Sequence, residues 1–558
     1  MTSNRFKNLL AAGTLLAAAP IAVLIGASPL VAQEPSVPFL PGNLAVTRSV
    51  YANGGNIVAG ETNLPPGCGS SSDPCTPAVT SSAYPFVFNN DTVDGSFGVT
   101  SKIFIDQMTP FGFTFSSLEV PNSSQAGVTA TSNQVVTSFS SKSELALNLS
   151  VDGKALTFMG YFAPVSTIDA SNSNTPGEVD PTNPIGPAYF RSVAQVDAFG
   201  HFQITQTNAF TGDNGRAAIL NDNPGANVYY MAGNAGNGTG KVQPVSTIIS
   251  TGAQIMSPAT VPEASQMPGT PTAVGSFNLT QLGDASDKIG KDTNFRGLTV
   301  FDNVLYYTKG SGSNGVNTVY FVDSTGTVCT DSMGVGLPVS GATLPTSPLA
   351  VTDPGSIQTL GIQPYNMCIL NGLPTLIAKS ASGVSYPFGI WFASPTVLYV
   401  ADEGSGNVGT TVAGFYEPAT PAQNPTAGLQ KWMFNGTEWQ LAYTLTNGLN
   451  LGVPYSVPGY PTGLNDGPGG SGFPWAPATD GLRNITGVNL FGTATIYAIT
   501  STISGSGDQG ADPNKLVVIT DELNATTLPS WERFFTLKSA GYGEVLRGVA
   551  FTPGTRLP

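Results

Sequence analysis

The feature that most constrains the fold is a pair of short apolar runs joined by a tight turn. In residues 428–445, GLQKWMFNGTEWQLAYTL, the turn residues Asn435 and Gly436 separate two runs in which apolar and polar side chains alternate. A period of two around an Asn-Gly turn is the strongest local signal for a β-hairpin. The alternation predicts that one face of the second run carries Trp439, Leu441, Tyr443 and Leu445.

Pairs of this kind recur along the chain. They fall at residues 143–161, 216–234, 296–310, 388–404 and 483–501. Most are followed by an outer pair, so that a complete unit supplies four short antiparallel strands. No stretch shows sustained apolar spacing at the helical period. Four-stranded units repeated in this way are typical of a β-propeller.

The two ends of the chain complement each other. Residues 547–554, RGVAFTPG, look like a first strand without partners, while 43–51, 103–110 and 113–121 look like three strands without a first. Closing one blade with strands from both termini ties the ring shut and hides sheet edges. We therefore predict an all-β fold, a single six-bladed β-propeller closed by N- and C-terminal strands in one blade, with seven blades as the alternative. The hairpin at 428–445 is then the outer pair of blade five.

Composition limits the classes of partner. Charged residues make up 10% of the 558-residue chain, its formal net charge is −14, and its pI is near 4.4. Nucleic acid and anionic membrane surfaces attract basic proteins, so neither is expected as a partner. A hydrophobic content of 41% argues against a disordered chain.

The first 33 residues resemble a secretory signal. Arg5 and Lys7 precede an apolar run at 9–27, and small residues such as Ala32 offer cleavage points. An uncleaved membrane anchor is the alternative, because the run approaches spanning length. We expect a secreted or periplasmic protein on the extracellular surface, with no membrane contact once the signal is removed.

The rest of the chain is predicted to be a short Pro-rich linker, 34–42, followed by the propeller, 43–558.

Four cysteines agree with export, and the local pairing joins Cys68 with Cys75 and Cys329 with Cys368. Four cysteines allow three pairings. A zinc site is disfavoured because the chain has one histidine and no close C-x2-C pair.

Three stretches carry a resemblance to a known group of proteins. They are RGVAF at 547–551, LYVADEG at 398–404 followed by the hairpin described above, and a glycine-arginine start with YYMAGN within 215–234. Together they resemble an uncharacterised family of secreted bacterial proteins with β-propeller-like repeats. The resemblance covers roughly 43–554. It implies a propeller and export, and it supplies no catalytic residues.

The connections differ between the two faces of the predicted propeller. First-to-second and third-to-fourth connections share one face and are mostly tight turns rich in Gly, Pro, Asn and Asp. Second-to-third connections and links between blades share the other face and include long segments at 52–102, 162–190, 402–427 and 501–514. Two exceptions lie near 251–273 and 323–367. We call these the tight-turn face and the loop-rich face, and we expect function on the second.

Arginine recurs where the first strands begin. Four of the six open with one, namely Arg216, Arg296, Arg483 and Arg547, while Lys142 lies near blade two and Pro387-Phe388 opens blade five. First strands line the central channel, so these side chains are expected to ring its mouth on the loop-rich face. A ring of guanidinium groups suits a carboxylate, phosphate or sulfate. The alternative is that each arginine bridges neighbouring blades through backbone carbonyls or an acid.

Other candidates lie on the same face. Asp402 and Glu403 end a second strand and could act as acid and base or bind calcium; otherwise they cap the strand or pair with the arginines. Segments 89–98 and 169–180 are rich in oxygen ligands without EF-hand spacing. Trp475, in a Gly/Pro-rich loop, could stack a sugar ring or anchor its own loop.

Catalytic motifs are scarce. His201, the single histidine, lies in the turn DAFGHFQ on the tight-turn face, which argues against a Ser-His-Asp triad. No G-x-S-x-G elbow, phosphate-binding P-loop or C-x-x-C-H haem motif occurs. Whether the protein is an enzyme is left open, and the sequence indicates no oligomeric state.

The sequence favours a secreted, non-catalytic β-propeller that binds a carbohydrate or small anionic ligand on its loop-rich face, or forms part of the cell-surface matrix. The alternative is a calcium-assisted propeller hydrolase, lactonase or lyase that uses the loop-face carboxylates. Calcium is the one cofactor left open.

Overall fold

The computed structural model describes most of the chain after its first 37 residues. The described residues are 38–51, 98–180, 187–236, 251–258, 294–310, 315–328, 334–347, 367–378, 383–409, 424–466, 471–506 and 510–556, with isolated positions at 61, 63–64, 76–77, 349, 411–412 and 415–416. The chain divides into residues 1–34 and a second unit, 35–558. The predicted signal segment lies outside the described residues. Within the described ranges, no helix is long and apolar enough to cross a membrane.

The structure is built from β-strands. In chain order the first fifteen are β1 (Leu44–Val50), β2 (Asn63–Leu64), β3 (Thr76–Pro77), β4 (Thr100–Met108), β5 (Thr114–Glu119), β6 (Thr137–Ser138), β7 (Asn148–Leu149), β8 (Ala155–Tyr161), β9 (Arg191–Asp197), β10 (Phe202–Thr207), β11 (Gly215–Asn221), β12 (Val228–Gly233), β13 (Gly252–Met256), β14 (Phe295–Phe301) and β15 (Val304–Lys309). The others are β16 (Thr318–Val322), β17 (Val335–Gly336), β18 (Met367–Leu370), β19 (Pro387–Ser394), β20 (Val397–Asp402), β21 (Thr411–Val412), β22 (Phe415–Tyr416), β23 (Gly428–Phe434), β24 (Trp439–Leu445), β25 (Ala478–Leu490), β26 (Thr493–Ile503), β27 (Lys515–Glu522), β28 (Phe535–Ser539) and β29 (Glu544–Phe551).

These strands form a six-bladed β-propeller. From the inside outwards the blades are β29-β1-β4-β5, β7-β8-β9-β10, β11-β12-β13, β14-β15-β16-β18, β19-β20-β23-β24 and β25-β26-β27-β28. Neighbouring strands in each blade are antiparallel, and β17 adds a short parallel edge to β18. Blade three shows three strands within the described residues. The prediction of six blades is confirmed, and the seven-bladed alternative is not.

Blade one is closed by the two ends of the chain. β29 pairs with β1 from Leu44 opposite Phe551 to Val50 opposite Glu544, and β1 pairs in turn with β4. The C-terminal strand is therefore the innermost strand of a blade whose other strands lie near the N-terminus, as predicted. Beside this blade, Phe39 is buried and its backbone N–H donates to the carbonyl of Ala198 at 2.9 Å, so residues of the predicted linker contact the propeller.

The hairpin at 428–445 forms the outer pair of blade five, as predicted. Its turn is held by Asn435, whose side-chain oxygen accepts the N–H groups of Thr437 at 2.9 Å and Glu438 at 3.0 Å. The predicted single face of β24 is wrong at Leu441, which is 47% exposed. A register shift between Lys431 and Trp432 inserts an extra residue in β24, and the alternation changes phase there.

The contrast between the two faces holds for most described connections. For example, β14 and β15 are joined by a two-residue turn, whereas residues 162–190 separate β8 from β9. The expectation of a long connection at 251–273 is wrong at its start, because Gly252–Met256 form β13, the third strand of blade three. The exception at 323–367 stands, since these residues lead from the third strand of blade four to its fourth.

The cysteines test the predicted pairing only in part. Cys368 is fully buried on β18 and is not a free thiol. Cys68, Cys75 and Cys329 lie outside the described residues, so the pairing stays a prediction.

Candidate site at the loop-rich mouth of the channel

The four arginines share a backbone irregularity. The strand ladder shifts register across Arg216, which lies between paired Gly215 and Ala217, and likewise across Arg296. The β29 ladder skips Arg547, and the β25 ladder shifts between Leu482 and Ile485, around Arg483. A bulge leaves its extra residue unpaired and re-aims its side chain. All four arginines are at most 4% exposed.

Glycine follows two of these arginines for a steric reason. A Cβ at Gly297 would lie 2.3 Å from the carbonyl oxygen of Phe388, and one at Gly548 would lie 2.4 Å from that of Leu145. Phe388 is in the first strand of blade five, and Leu145 lies just before β7, the first strand of blade two. The Arg-Gly pairs in the sequence therefore combine a bulge with a close approach to the neighbouring blade.

Arg547 fastens blade one to the segment that leads into blade two. Its terminal nitrogens donate to the backbone carbonyls of Phe139 and Ser141, and its Nε donates to Ser49 at 3.1 Å. These contacts match the bridging alternative considered above, because the guanidinium satisfies carbonyls of the adjoining segment.

Arg216 fastens blade three to blade four. It donates to the carbonyl of Phe295 at 3.0 Å and also to the side chain of Asn294, and it lies 3.3 Å from a carboxylate oxygen of Asp213. The nearby Arg191 is fully buried and donates to the carbonyl of Asp213, which reinforces the same corner.

Positively charged side chains surround Glu403 at the mouth of the channel. Arg483 Nε lies 3.3 Å from its Oε2, and Lys142 Nζ lies 3.5 Å from its Oε1. Burial raises the pKa of Glu403, but Lys142, Arg296 and Arg483 outweigh this, and the pKa lies below its usual range. Glu403 is therefore an ionised carboxylate that holds two blades and the lysine together.

Arg296 differs from the other three arginines. Its one hydrogen-bond partner among the described residues is the hydroxyl of Ser143, and its Nε donates to none of them. Burial lowers its pKa to about 9, and repulsion from Arg216 and Arg483 adds to the effect, against the attraction of Glu403 and Asp213. Buried polar groups in proteins are almost always hydrogen-bonded. Arg296 is thus a buried cation with spare donors.

Lys142 lies beside this cation and reaches solvent. Its side chain is 31% exposed. Desolvation lowers its pKa to about 8, with repulsion from Arg296 and Arg483 opposing the attraction of Glu403. The cations at the mouth therefore outnumber the carboxylates that contact them directly.

Asp402 has a structural role. It ends β20 and accepts hydrogen bonds from the Ser385 hydroxyl and the Tyr386 N–H, both at 2.8 Å, and from the Gly404 N–H at 2.9 Å. Burial raises its pKa. These bonds occupy the carboxylate, which matches the strand-capping alternative.

Sequence reasoning missed Asp480. One of its oxygens accepts the N–H of Gly406 at 2.8 Å, and the other accepts no hydrogen bond from the described residues. Burial, with repulsion from Glu403 and Asp402, raises its pKa to about 7. A signal exists in the sequence: an acid precedes the arginine by three residues in DGLR, DNGR and EVLR, which end at Arg483, Arg216 and Arg547. Arg296, in TNFR, has no such acid.

The structure thus brings together Arg216, Arg296, Arg483, Glu403 and Lys142, and adds Asp213 and Asp480. We call these seven residues the mouth cluster. Trp475 is elsewhere: it is 5% exposed and packs with Phe139 and Tyr460, which leaves little ring surface for a sugar.

Calcium ligation has no support among the described residues, where no group of three His, Cys, Asp or Glu side chains could hold a metal ion. The segment 89–98 lies almost wholly outside them. In 169–180, Asp169 accepts a hydrogen bond from Asn172 at 2.8 Å.

His201 is 70% exposed and lies 3.0 Å from Asp197, in the predicted turn.

Comparisons with known proteins add little to this geometry. No family model matches the chain, and no curated protein matches it. Among solved structures it is similar to Drosophila Semaphorin 1a, extracellular domains 1-2, at 10% identity over 78% of this chain and 85% of that chain, with a TM-score of 0.25. A score this low adds nothing to the strand pairing described above. The bacterial family named from sequence is not tested by these comparisons.

Proposed function

We propose that this protein is a secreted, non-catalytic β-propeller that binds a small anionic ligand at the loop-rich mouth of its channel. The ligand class is a carboxylate, phosphate or sulfate, including an acidic sugar of the cell-surface matrix. The observation that supports this most is Arg296, a buried guanidinium whose Nε makes no hydrogen bond to the described residues.

The charge balance favours an anion. Arg483 forms an ion pair with Glu403, and Arg216 forms one with Asp213. No carboxylate lies within ion-pair distance of Arg296 among the described residues, and Lys142 adds a second cation at the solvent side. An anion placed between Arg296 and Lys142 would supply the missing acceptor. It would also offset the burial and the repulsion that lower both pKa values.

A thermal-shift screen of the mature protein against uronic acids, sulfated sugars, phosphate and citrate tests this. We expect at least one anion to raise the Tm of the native protein and to leave that of Arg296→Ala unchanged. Arg547→Ala is the matched control. It removes a side chain that links blade one to the segment leading into blade two, so it should lower the Tm but keep the ligand-dependent rise in Tm. Equal shifts in native and Arg296→Ala protein, or none in either, would contradict the proposal.

A second candidate function rests on a separate observation. The two neighbouring carboxyl groups Asp480 and Glu403 have pKa values displaced in opposite directions, to about 7 and to below the usual range. Such a split is how paired carboxyl groups acquire acid and base roles. A hydrolase, lactonase or lyase activity would use Asp480 as the proton donor. Turnover of a lactone or polysaccharide that is lost in Asp480→Asn would support it, and no turnover on such a panel would count against it.

A further inference from the structure

A cavity lies at the other end of the channel. It has a volume of about 630 Å³ and is lined by residues from the first strands of all six blades, at their tight-turn ends. The volume is in the range of about 300–1,000 Å³ that is usual for small-molecule sites. None of the mouth cluster lines it. The cavity is therefore a different place from the site proposed above.

Two aromatic side chains form firm apolar walls of this cavity. The Trp391 ring packs on Gly487, where a Cβ would lie 2.7 Å from ring atoms, and it stacks on Tyr399 with ring centroids 5.8 Å apart. Phe301 stacks on Phe392 with centroids 4.7 Å apart. The Trp391 and Phe301 side chains remain partly exposed. Their packing fixes them before any ligand arrives.

Two asparagines supply fixed acceptors. Asn148 donates its side-chain N–H to the carbonyl of Ala218 at 3.0 Å, and Asn489 donates to that of Ala393 at 3.1 Å. Each bond joins neighbouring blades and holds the amide in place. The side-chain oxygens of Asn148 and Asn489 accept no hydrogen bond from the described residues.

Unused donors line the same space. The hydroxyls of Thr299 and Thr486 and the indole N–H of Trp391 make no hydrogen bond to any described residue. Charge is balanced, since Asp152 and Arg556 both line the cavity. The walls thus offer separate donors and acceptors between apolar patches, without an excess of either sign.

We propose that this tight-turn end of the channel is a second binding site, for a neutral mono- or disaccharide. A sugar hydroxyl donates and accepts at once, so it can use amide oxygens and hydroxyl or indole donors in turn. The C–H faces of a sugar ring pack on apolar and aromatic walls. The site is independent of the anion site, because it shares no residue with the mouth cluster.

Isothermal titration of the mature protein with methyl glucoside, methyl galactoside, maltose and cellobiose tests the proposal. At least one of these should bind. The double variant Thr299→Val/Thr486→Val keeps the shape of both side chains and should weaken that binding about tenfold, since it removes two hydrogen bonds. Thr299→Trp fills the cavity and should abolish binding. Thr520→Val, on the exposed surface of β27, is the matched control and should change nothing.

The proposal is overturned if none of the four sugars binds the native protein, or if Thr299→Trp binds as the native protein does. Circular dichroism shows whether Thr299→Trp is folded; if it is not, the double valine variant decides. Arg296→Ala should leave sugar binding intact. If sugar binding is lost in Arg296→Ala and kept in Thr299→Trp, the sugar binds at the loop-rich mouth and this inference is overturned. That conclusion does not depend on whether the mouth also binds an anion.

Discussion

Arg483 and Glu403 form an ion pair between blades six and five, with Nε and Oε2 3.3 Å apart and both side chains 3% exposed. The arginine is at a bulge in the first strand of blade six, and the glutamate follows the second strand of blade five. This pair fixes the anionic centre around which Lys142 and Arg296 are placed.

Glu403→Gln should destabilise the protein. The substitution keeps the shape of the side chain but removes the countercharge of a buried guanidinium, and breaking a buried ion pair costs about 3–5 kcal/mol. Urea unfolding of the native and variant proteins measures this. Glu438→Gln, in the β23–β24 turn, should lie within about 0.5 kcal/mol of the native protein. An equal, small effect of both substitutions would mean that Glu403 does not hold the cluster.

Asp480 should make the protein less stable as pH rises. Its pKa in the folded protein, about 7, lies above its ordinary value of 3.8. Between about pH 4 and pH 7 the folded protein therefore holds a proton that the unfolded chain releases, and the free energy of unfolding falls with increasing pH. Asp480→Asn should show a shallower fall over this window.

Urea titrations at several pH values from 4 to 8 test this, with the surface variant Asp302→Asn as the control. Asp302→Asn should follow the native curve. If Asp480→Asn also follows it, Asp480 does not titrate in this window.

Lys431 and Asp521 join the third strands of blades five and six. Their charged atoms are 2.8 Å apart and both side chains are fully buried. Tyr399 and Tyr443 both donate to the carboxylate, and Lys431 also donates to the carbonyl of Glu522. Asp521→Asn leaves the lysine without its countercharge and should cost about 3–5 kcal/mol of unfolding free energy.

The double substitution Lys431→Met/Asp521→Leu removes both charges and should recover part of this loss, because an apolar pair avoids the desolvation penalty. Urea unfolding of the three proteins decides. A double variant that is less stable than Asp521→Asn would show that the tyrosine contacts matter more than the ion pair.

Arg547→Ala should loosen the closure of the ring. It removes the donor of two buried carbonyls, Phe139 and Ser141, and leaving these without a partner should cost about 2–4 kcal/mol. Differential scanning calorimetry measures the loss. Arg533→Ala, whose side chain is on the surface over Phe535, is the control and should change the Tm little. Similar losses in both variants would argue against a fastening role for Arg547.

Much of the fold could be predicted because strand and turn signals are local. The Asn435-Gly436 turn and the unpaired RGVAF strand at the C-terminus depend on neighbours in sequence, and both were found. The phase change at Leu441 and the strand at Gly252–Met256 were not. A bulge shifts the alternating pattern, and the short strand GAQIM is buried at every position, so it shows no alternation to detect.

The candidate site could be predicted only in outline. The recurrence of arginine at the start of first strands located the mouth. Which arginines are satisfied depends on partners far away in sequence, such as Phe139 for Arg547, 408 residues apart. The surroundings of Asp480 also depend on distant residues, since the connection after β20 brings the Gly406 N–H to its carboxylate. Trp475 could not be assigned to a binding surface or to a core without its packing.

Arg296 is proposed to hold an anion at the loop-rich mouth. The most direct test is the anomalous scattering of selenate, soaked into crystals of the mature protein. We expect a selenium peak within hydrogen-bonding distance of the Arg296 guanidinium, with Lys142 on its solvent side, and no such peak in Arg296→Ala crystals. A well-occupied peak elsewhere with none at Arg296 would contradict the claim.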